Sequence, residues 1–195
     1  HQKNIETISN WICVAPIWVL PDYFNLMETS GAKRVLALSS TSLFSKVDSS
    51  DTAERAVVRR LVEYESCLQL WAEDRGIEWV ILRPTMIYGL GADKNVAEIA
   101  RFINQWGFFP ILGKADGLRQ PVYVVDVACI CLSANASPAA RNKSYNISGA
   151  EKLTYAELVN RIFKALGRKP RLAYLPRWSF RLALLDFVYS TALST

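Results

Sequence analysis

Residues 80–89, Val-Ile-Leu-Arg-Pro-Thr-Met-Ile-Tyr-Gly, constrain the fold more than any other stretch. A run of apolar, partly β-branched side chains stops at Arg83-Pro84, and turn chemistry then leads to Tyr88-Gly89. A strand buried in a parallel sheet reads this way where it emerges at its carboxyl end, the place where open α/β sheets bind ligands. Pro84 has no N–H to donate, so it forbids continuation of a central ladder.

The neighbouring segments supply the rest of such a sheet. Residues 11–18 read as a buried strand running into a turn, Pro21 to Ser30 as a short helix stopped by Gly31, and Arg34 to Ser39 as a second buried strand. The hydroxyl cluster Ser39-Ser40-Thr41-Ser42 follows, then a polar loop to Ser50. Asp51-Thr52-Ala53-Glu54 resembles a capping box and opens a helix to Arg75, with Val57, Val58, Leu61, Leu68 and Trp71 at helical spacing. Residues 77–82 form the third strand. Alternating strands and long helices predict an α/β, doubly wound architecture.

Further on, Val96 to Trp106 predicts a helix stopped by Gly107, and Phe108 to Leu112 a short strand. Arg119 to Val125 predicts a strand, with Asp126 as N-cap of an apolar helix to Ala136. Ser144 to Ser148 reads as another strand. Thr154-Tyr155-Ala156-Glu157 is a full capping box on a helix to Leu166, and Arg171 to Leu175 ends in a strand before a terminal helix from Pro176.

Composition narrows the function. The chain is 51% hydrophobic and 21% charged, ordinary for a globular protein, and its net charge of +5 is far from a nucleic-acid signature. His1 is the only histidine, which removes a Ser-His-Asp triad and most zinc sites, and no metal site is expected. The four cysteines sit in apolar segments without a Cys-x-x-Cys pair, as buried reduced thiols do. No apolar run reaches spanning length and no secretory signal is visible, so the expectation is a cytoplasmic protein without a membrane or nucleic-acid partner. A first residue other than Met, followed at once by an apolar segment, reads as a fragment or a processed form.

Four motifs in order carry a resemblance: Val-Leu-Ala-Leu-Ser-Ser-Thr at 35–41, Ile-Leu-Arg-Pro-Thr-Met-Ile-Tyr-Gly at 81–89, Arg-Gln-Pro-Val-Tyr-Val-Val-Asp-Val-Ala at 119–128, and Tyr-Asn-Ile-Ser-Gly at 145–149. Together they resemble the extended short-chain dehydrogenase/reductases, the NAD-dependent epimerase/dehydratase family. The resemblance implies the C-terminal part of a Rossmann-type doubly wound parallel sheet plus a small α/β substrate lobe. Residues 1–89 would be a partial NAD(P)-binding domain without its first strands and Gly-rich loop. Residues 90–195 would be mainly the substrate lobe, with 119–149 returning to the sheet.

The family's activity is then the expectation: NAD or NADP as cofactor, a sugar-like or other small carbonyl or hydroxyl substrate, and hydride transfer between them. By the same resemblance Ser40 and Thr41 are the catalytic candidates that orient the substrate oxygen. Ser39, Pro84, Thr85, Met86 and Ile87 border the nicotinamide, and Asp93, Asn95 and Arg119 bind substrate. Each residue also has a local reading: the hydroxyls can satisfy a turn, Asp93 and Asn95 can be an ordinary helix start, and Arg83 suits a structural pair with Glu65.

Two departures oppose the activity. No Gly-x-Gly-x-x-Gly turn occurs in the sequence. The family's Tyr-x-x-x-Lys pair is also absent: the long helix carries Val57 where the Tyr belongs and Leu61 where the Lys belongs. The alternative expectation is therefore a non-catalytic NAD(P)-binding or assembly subunit. The apolar first strand, if left at a sheet edge, invites pairing with another chain, and a homodimer is the form expected.

Overall fold

The computed structural model describes residues 7–176. The chain divides into two compact units, one formed by residues 1–87 and 122–149, the other by 88–121 and 150–195.

The first unit holds a four-stranded parallel sheet. Its strands are β1 (Asn10–Cys13), β2 (Arg34–Leu38), β3 (Glu78–Pro84) and β8 (Lys143–Ile147), in spatial order β1-β2-β3-β8. Register pairs Trp11 with Val35, Val35 with Trp79, and Leu82 with Tyr145. Side chains alternate between two buried faces, as a strand's period of two requires. Val35, Ala37, Trp79 and Ile81 meet Leu61, Leu68 and Trp71 of helix α3 (Thr52–Asp74) on one side. Leu36, Val80 and Leu82 meet Val127 and Cys131 of helix α5 (Val124–Ala136) on the other. Helices on both faces of a parallel sheet make the unit doubly wound, as its motifs imply.

Several local expectations are corrected. The first strand ends at Cys13, and Ile17–Tyr23 is a 3₁₀ helix with Pro21 inside it; α1 (Phe24–Thr29) follows, and Gly31 takes φ 74°. The loop after Thr41 contains the short helix α2 (Ser42–Ser45). The capping box at α3 forms only on one side: Asp51 accepts from Ala53 N–H at 2.8 Å, while Glu54 accepts from Ser49 and pairs with Lys46. Val57 is 41% exposed rather than core. β3 includes Arg83 and Pro84, because the Pro84 backbone faces β2 where that strand has already ended at Leu38. The Pro84 carbonyl there accepts from Thr41 N–H at 3.1 Å, so the missing donor breaks no ladder.

The expected strand at 119–125 is divided. β6 (Leu118–Arg119) and β7 (Val122–Tyr123) flank Pro121, and α5 begins at Val124, which puts Asp126 inside its first turn rather than at its cap. Only Cys131 among the cysteines is buried; Cys13 and Cys67 are half-buried and Cys129 is exposed, all four as free thiols.

The second unit packs α4 (Val96–Trp106) against α6 (Tyr155–Ala165) over β5 (Phe109–Leu112), which pairs in parallel with β10 (Leu172–Leu175). β6 pairs antiparallel with β9 (Leu153–Thr154). Ile103, Ile111, Val159 and Phe163 are fully buried here. The Thr154–Glu157 capping box is complete, with Thr154 N–H to Glu157 at 2.7 Å and Glu157 N–H to Thr154 Oγ1 at 3.2 Å. Gly107 ends α4 at φ 75°, and the Arg168 guanidinium donates to the Ile103 and Asn104 carbonyls, satisfying the last turn. The terminal helix expected from Pro176 lies outside the described residues.

Among the described residues, no helix is long and apolar enough to cross a membrane.

Candidate functional site

Two parallel strands that end side by side leave their last carbonyls and the following loops at one edge, and β2 and β3 do so in the first unit. Ser39 N–H donates to Leu82 O at 2.8 Å, extending the ladder one residue past β2. The Thr41 hydroxyl donates to Pro84 O at 3.3 Å, so it is spent locally. Ser40 Oγ accepts from Ser42 N–H at 3.1 Å and is bonded to Ser42 Oγ. Two bonded hydroxyls hold two protons and use one between them, so the pair keeps one O–H free to donate. Ser39 Oγ differs from both: it is a buried atom without a hydrogen-bond partner among the described residues.

The nicotinamide-wall candidates are largely committed through their backbone. Pro84 O is taken by Thr41, Thr85 N–H donates to Ile147 O at 2.9 Å, and Met86 O accepts from Val122 N–H at 2.9 Å. Ile87 belongs to the short strand β4 (Ile87–Tyr88), which pairs with β7. These bonds fix the wall's shape. They also remove three main-chain groups from those a ligand can use.

Arg83 takes the structural role. Its Nη2 lies 2.5 Å from Glu65 Oε2, and its Nε reaches both carboxylate oxygens at 3.0 and 3.1 Å. Its guanidinium sits 5.4 Å from the Phe44 ring centroid. On α3, Val57 is exposed and Leu61 is 4% exposed, so neither position of the expected dyad bears a proton-transferring group. Tyr64 packs against the core on the α3 side of the sheet.

The remaining candidates lie in the second unit. Asp93 accepts from Asn95 N–H at 3.0 Å, Ala97 N–H at 3.1 Å and Gly89 N–H at 3.3 Å. Burial pushes its carboxyl up, but the backbone N–H groups of Ala97, Asn95, Gly89 and Val96 outweigh that and hold it below the usual aspartate range. Asp93 therefore caps α4, and Asn95, at the N-cap position, makes no side-chain capping bond. Arg119 donates to Leu118 O at 2.9 Å and lies 5.7 Å from the Tyr155 ring centroid, without a carboxylate partner among the described residues. Burial raises the Tyr155 phenol, and Arg119 partly opposes it.

The contributions of Ser42, Phe44 and Tyr155 are absent from the sequence reading. Ser42 alone had a local signal, since a serine two residues after another can close a hydroxyl turn. Among the described residues, no group of three or more His, Cys, Asp or Glu side chains is arranged to hold a metal.

A parallel sheet covered on both faces, with a hydroxyl cluster and an Arg-Pro strand end at its carboxyl edge, defines a Rossmann-type α/β protein. A family model of the NAD dependent epimerase/dehydratase family matches residues 22–148, and the chain belongs to that family. It is 27% identical over 120 residues to a UDP-glucose 4-epimerase of Vibrio cholerae, covering 62% of this chain and 37% of that protein. It is 31% identical over 100 residues to the mitochondrial NADH dehydrogenase [ubiquinone] 1 alpha subcomplex subunit 9 of Arabidopsis thaliana, covering 51% and 25%. The chain thus spans well under half the length of these relatives.

Among solved structures it is similar to the Thermus thermophilus UDP-glucose 4-epimerase complex with NAD, at TM-score 0.66 and 21% identity, covering 80% of this chain and 55% of that one. A dTDP-glucose 4,6-dehydratase of Bacillus anthracis in complex with NAD gives TM-score 0.68 at 15% identity, covering 87% and 60%. At these identities the likeness establishes the fold.

Proposed function

We propose that the full-length protein binds NAD with its nicotinamide end against the carboxyl ends of β2 and β3. There it acts on a sugar-like or other small carbonyl or hydroxyl substrate as an epimerase, dehydratase or reductase. The observation that carries this reading is the buried, unpartnered Ser39 Oγ at the strand end. An orphaned hydroxyl costs stability unless a ligand satisfies it, and an amide-bearing ring can do so. Ser39, Pro84, Thr85, Met86 and Ile87 are the residues assigned to that end of the cofactor. Family membership and the NAD complexes of the Thermus epimerase and the Bacillus dehydratase support it.

Bound NAD supplies hydride exchange. The Ser40–Ser42 pair offers its spare O–H to the reacting substrate oxygen. Thr41 holds the Pro84 carbonyl and so positions the loop. Within the second unit, Arg119, which has no carboxylate partner among the described residues, suits an anionic ligand group, and Asn95 lies at the start of α4, which Asp93 organises; both are substrate-binding candidates by the family resemblance alone. Proton transfer runs through water or another group, since Val57 and Leu61 have no proton to give. Titrating the full-length protein with NAD(H) and NADP(H) tests the reading: saturable NAD binding weakened by Ser39→Ala supports it, and absence of binding by either cofactor refutes it.

A second reading has its own support. The missing dyad and the similarity to the Arabidopsis NADH dehydrogenase subunit favour a non-catalytic NAD(P)-binding or assembly subunit. Cofactor binding without turnover of nucleotide-sugars or small carbonyl compounds would select it.

A further inference from the structure

The second unit carries a charge feature that the strand-end reading does not use. Residues 161–171 contain Arg161, Lys164, Arg168, Lys169 and Arg171 and no acidic residue. Five cations equal the net charge of the whole chain, so the remainder is balanced. Four of them, Arg161, Lys164, Arg168 and Lys169, gather toward the carboxyl end of α6 around a cleft of about 570 Å³, which Asn160 also lines.

A solvated helix face is the ordinary reading of such a run, and cations at a helix carboxyl end favour its dipole. Two observations go further. Arg168 is pinned by its bonds to Ile103 O and Asn104 O, so one cation at the cleft is held in place rather than free to retreat into solvent. Asn160, which also lines the cleft, has a buried side-chain oxygen without a partner among the described residues. Arg161 pairs with Glu151, whereas Lys164 and Lys169 have no ion-pair partner among the described residues. Positive charge is thus concentrated at the cleft, and one residue of its lining carries an acceptor that lacks a donor. A ligand answering both carries an anionic phosphate and a hydroxyl close to it.

We propose that this cleft binds the phosphate of a phosphorylated polyol, presented free or as a lipid headgroup. Arg168, Lys164 and Lys169 take the phosphate oxygens, and Asn160 accepts from a hydroxyl. Arg119 stands at the opposite end of α6, whose 11 residues span about 16 Å, so this site is separate from that cation.

The test uses the full-length protein at low ionic strength, where exposed charges are least screened. Glycerol 3-phosphate and inorganic phosphate are titrated by calorimetry. Vesicles of phosphatidylcholine, with and without phosphatidylglycerol, are tested by co-sedimentation. Glycerol 3-phosphate binding identifies a free ligand, and binding confined to phosphatidylglycerol vesicles identifies a headgroup. In either case the double variant K164Q/K169Q should bind roughly tenfold more weakly, with NAD affinity unchanged. No binding in either arm, equal affinity for inorganic phosphate and glycerol 3-phosphate, or unchanged binding by the variant overturns the proposal. NAD binding is scored separately, so failure here and failure of the strand-end reading are distinguishable.

Discussion

Arg83 grips both carboxylate oxygens of Glu65, with three N–H contacts between 2.5 and 3.1 Å, and so ties the end of β3 to the middle of α3. Side-chain exposures of 17% and 7% leave little water to replace either partner.

Removing one member should therefore cost more than a surface pair does. Glu65→Ala is expected to destabilise the protein by about 3 kcal/mol, since it strands a largely buried guanidinium. Adding Arg83→Met to it should recover part of that loss. Urea unfolding of the two single variants and the double variant measures the coupling; additive losses would remove the pair from the account.

The vacant dyad predicts an asymmetric response. Val57→Tyr should change stability by no more than about 0.5 kcal/mol, because the site is exposed. Leu61→Lys should cost about 3 kcal/mol or more, because it puts a charge into a core position that has no partner for it. Thermal unfolding of both variants reads the contrast, and equal effects would mean that Leu61 is not packed as described.

Ser39→Ala should separate folding from binding. Deleting an unsatisfied buried hydroxyl is expected to leave the ligand-free protein as stable or up to about 1 kcal/mol more stable, while NAD affinity falls several-fold. A loss of stability without a change in affinity would assign Ser39 to the fold alone.

Asp93 predicts a pH dependence. Its folded pKa lies below the unfolded value, so its contribution is fully present above about pH 4 and is lost as pH falls through the folded pKa. Asp93→Asn should cost about 1 kcal/mol at neutral pH and flatten the decline in stability below pH 4. Denaturant midpoints measured across that range check both signs.

The cysteines give a chemical readout. Burial raises the Cys13 and Cys131 thiols above the ordinary range, and Cys129 alone is exposed. Alkylation of the native protein at mildly alkaline pH should mark Cys129 first and Cys131 last, as peptide mapping would reveal.

The sheet was legible in the sequence because its strands are short apolar runs punctuated by Gly, Pro and hydroxyl clusters. So were the glycine stops at Gly31 and Gly107, and the Arg83–Glu65 pair. Pro121 hid the division between β6 and β7, since an X-Pro step breaks a strand without disturbing its apolar pattern. The loop after Thr41 hid α2 because its serines favour turns and helix starts alike. The exposure of Val57 and Cys129 was equally hidden, because apolar type says nothing of which helix face meets the sheet. Within the candidate site, the residue types and strand ends could be read ahead. Which hydroxyls were already spent could not, because that depends on rotamers and on carbonyls such as Pro84 O, distant in sequence.

The two-segment make-up of the first unit bears on how a growing chain acquires it. Trp79 and Asn142 meet across 63 residues, so β3 waits for β8 while the second unit's first segment is being synthesised. Until then Val80 and Leu82 lack the cover of α5, and β3 keeps one unpaired edge. Such an interval exposes a nascent chain to mispairing and to chaperone capture. Ribosome-bound chains halted with residues up to about 121 outside the exit tunnel should show that exposure, and chains halted with residue 149 outside it should lose it.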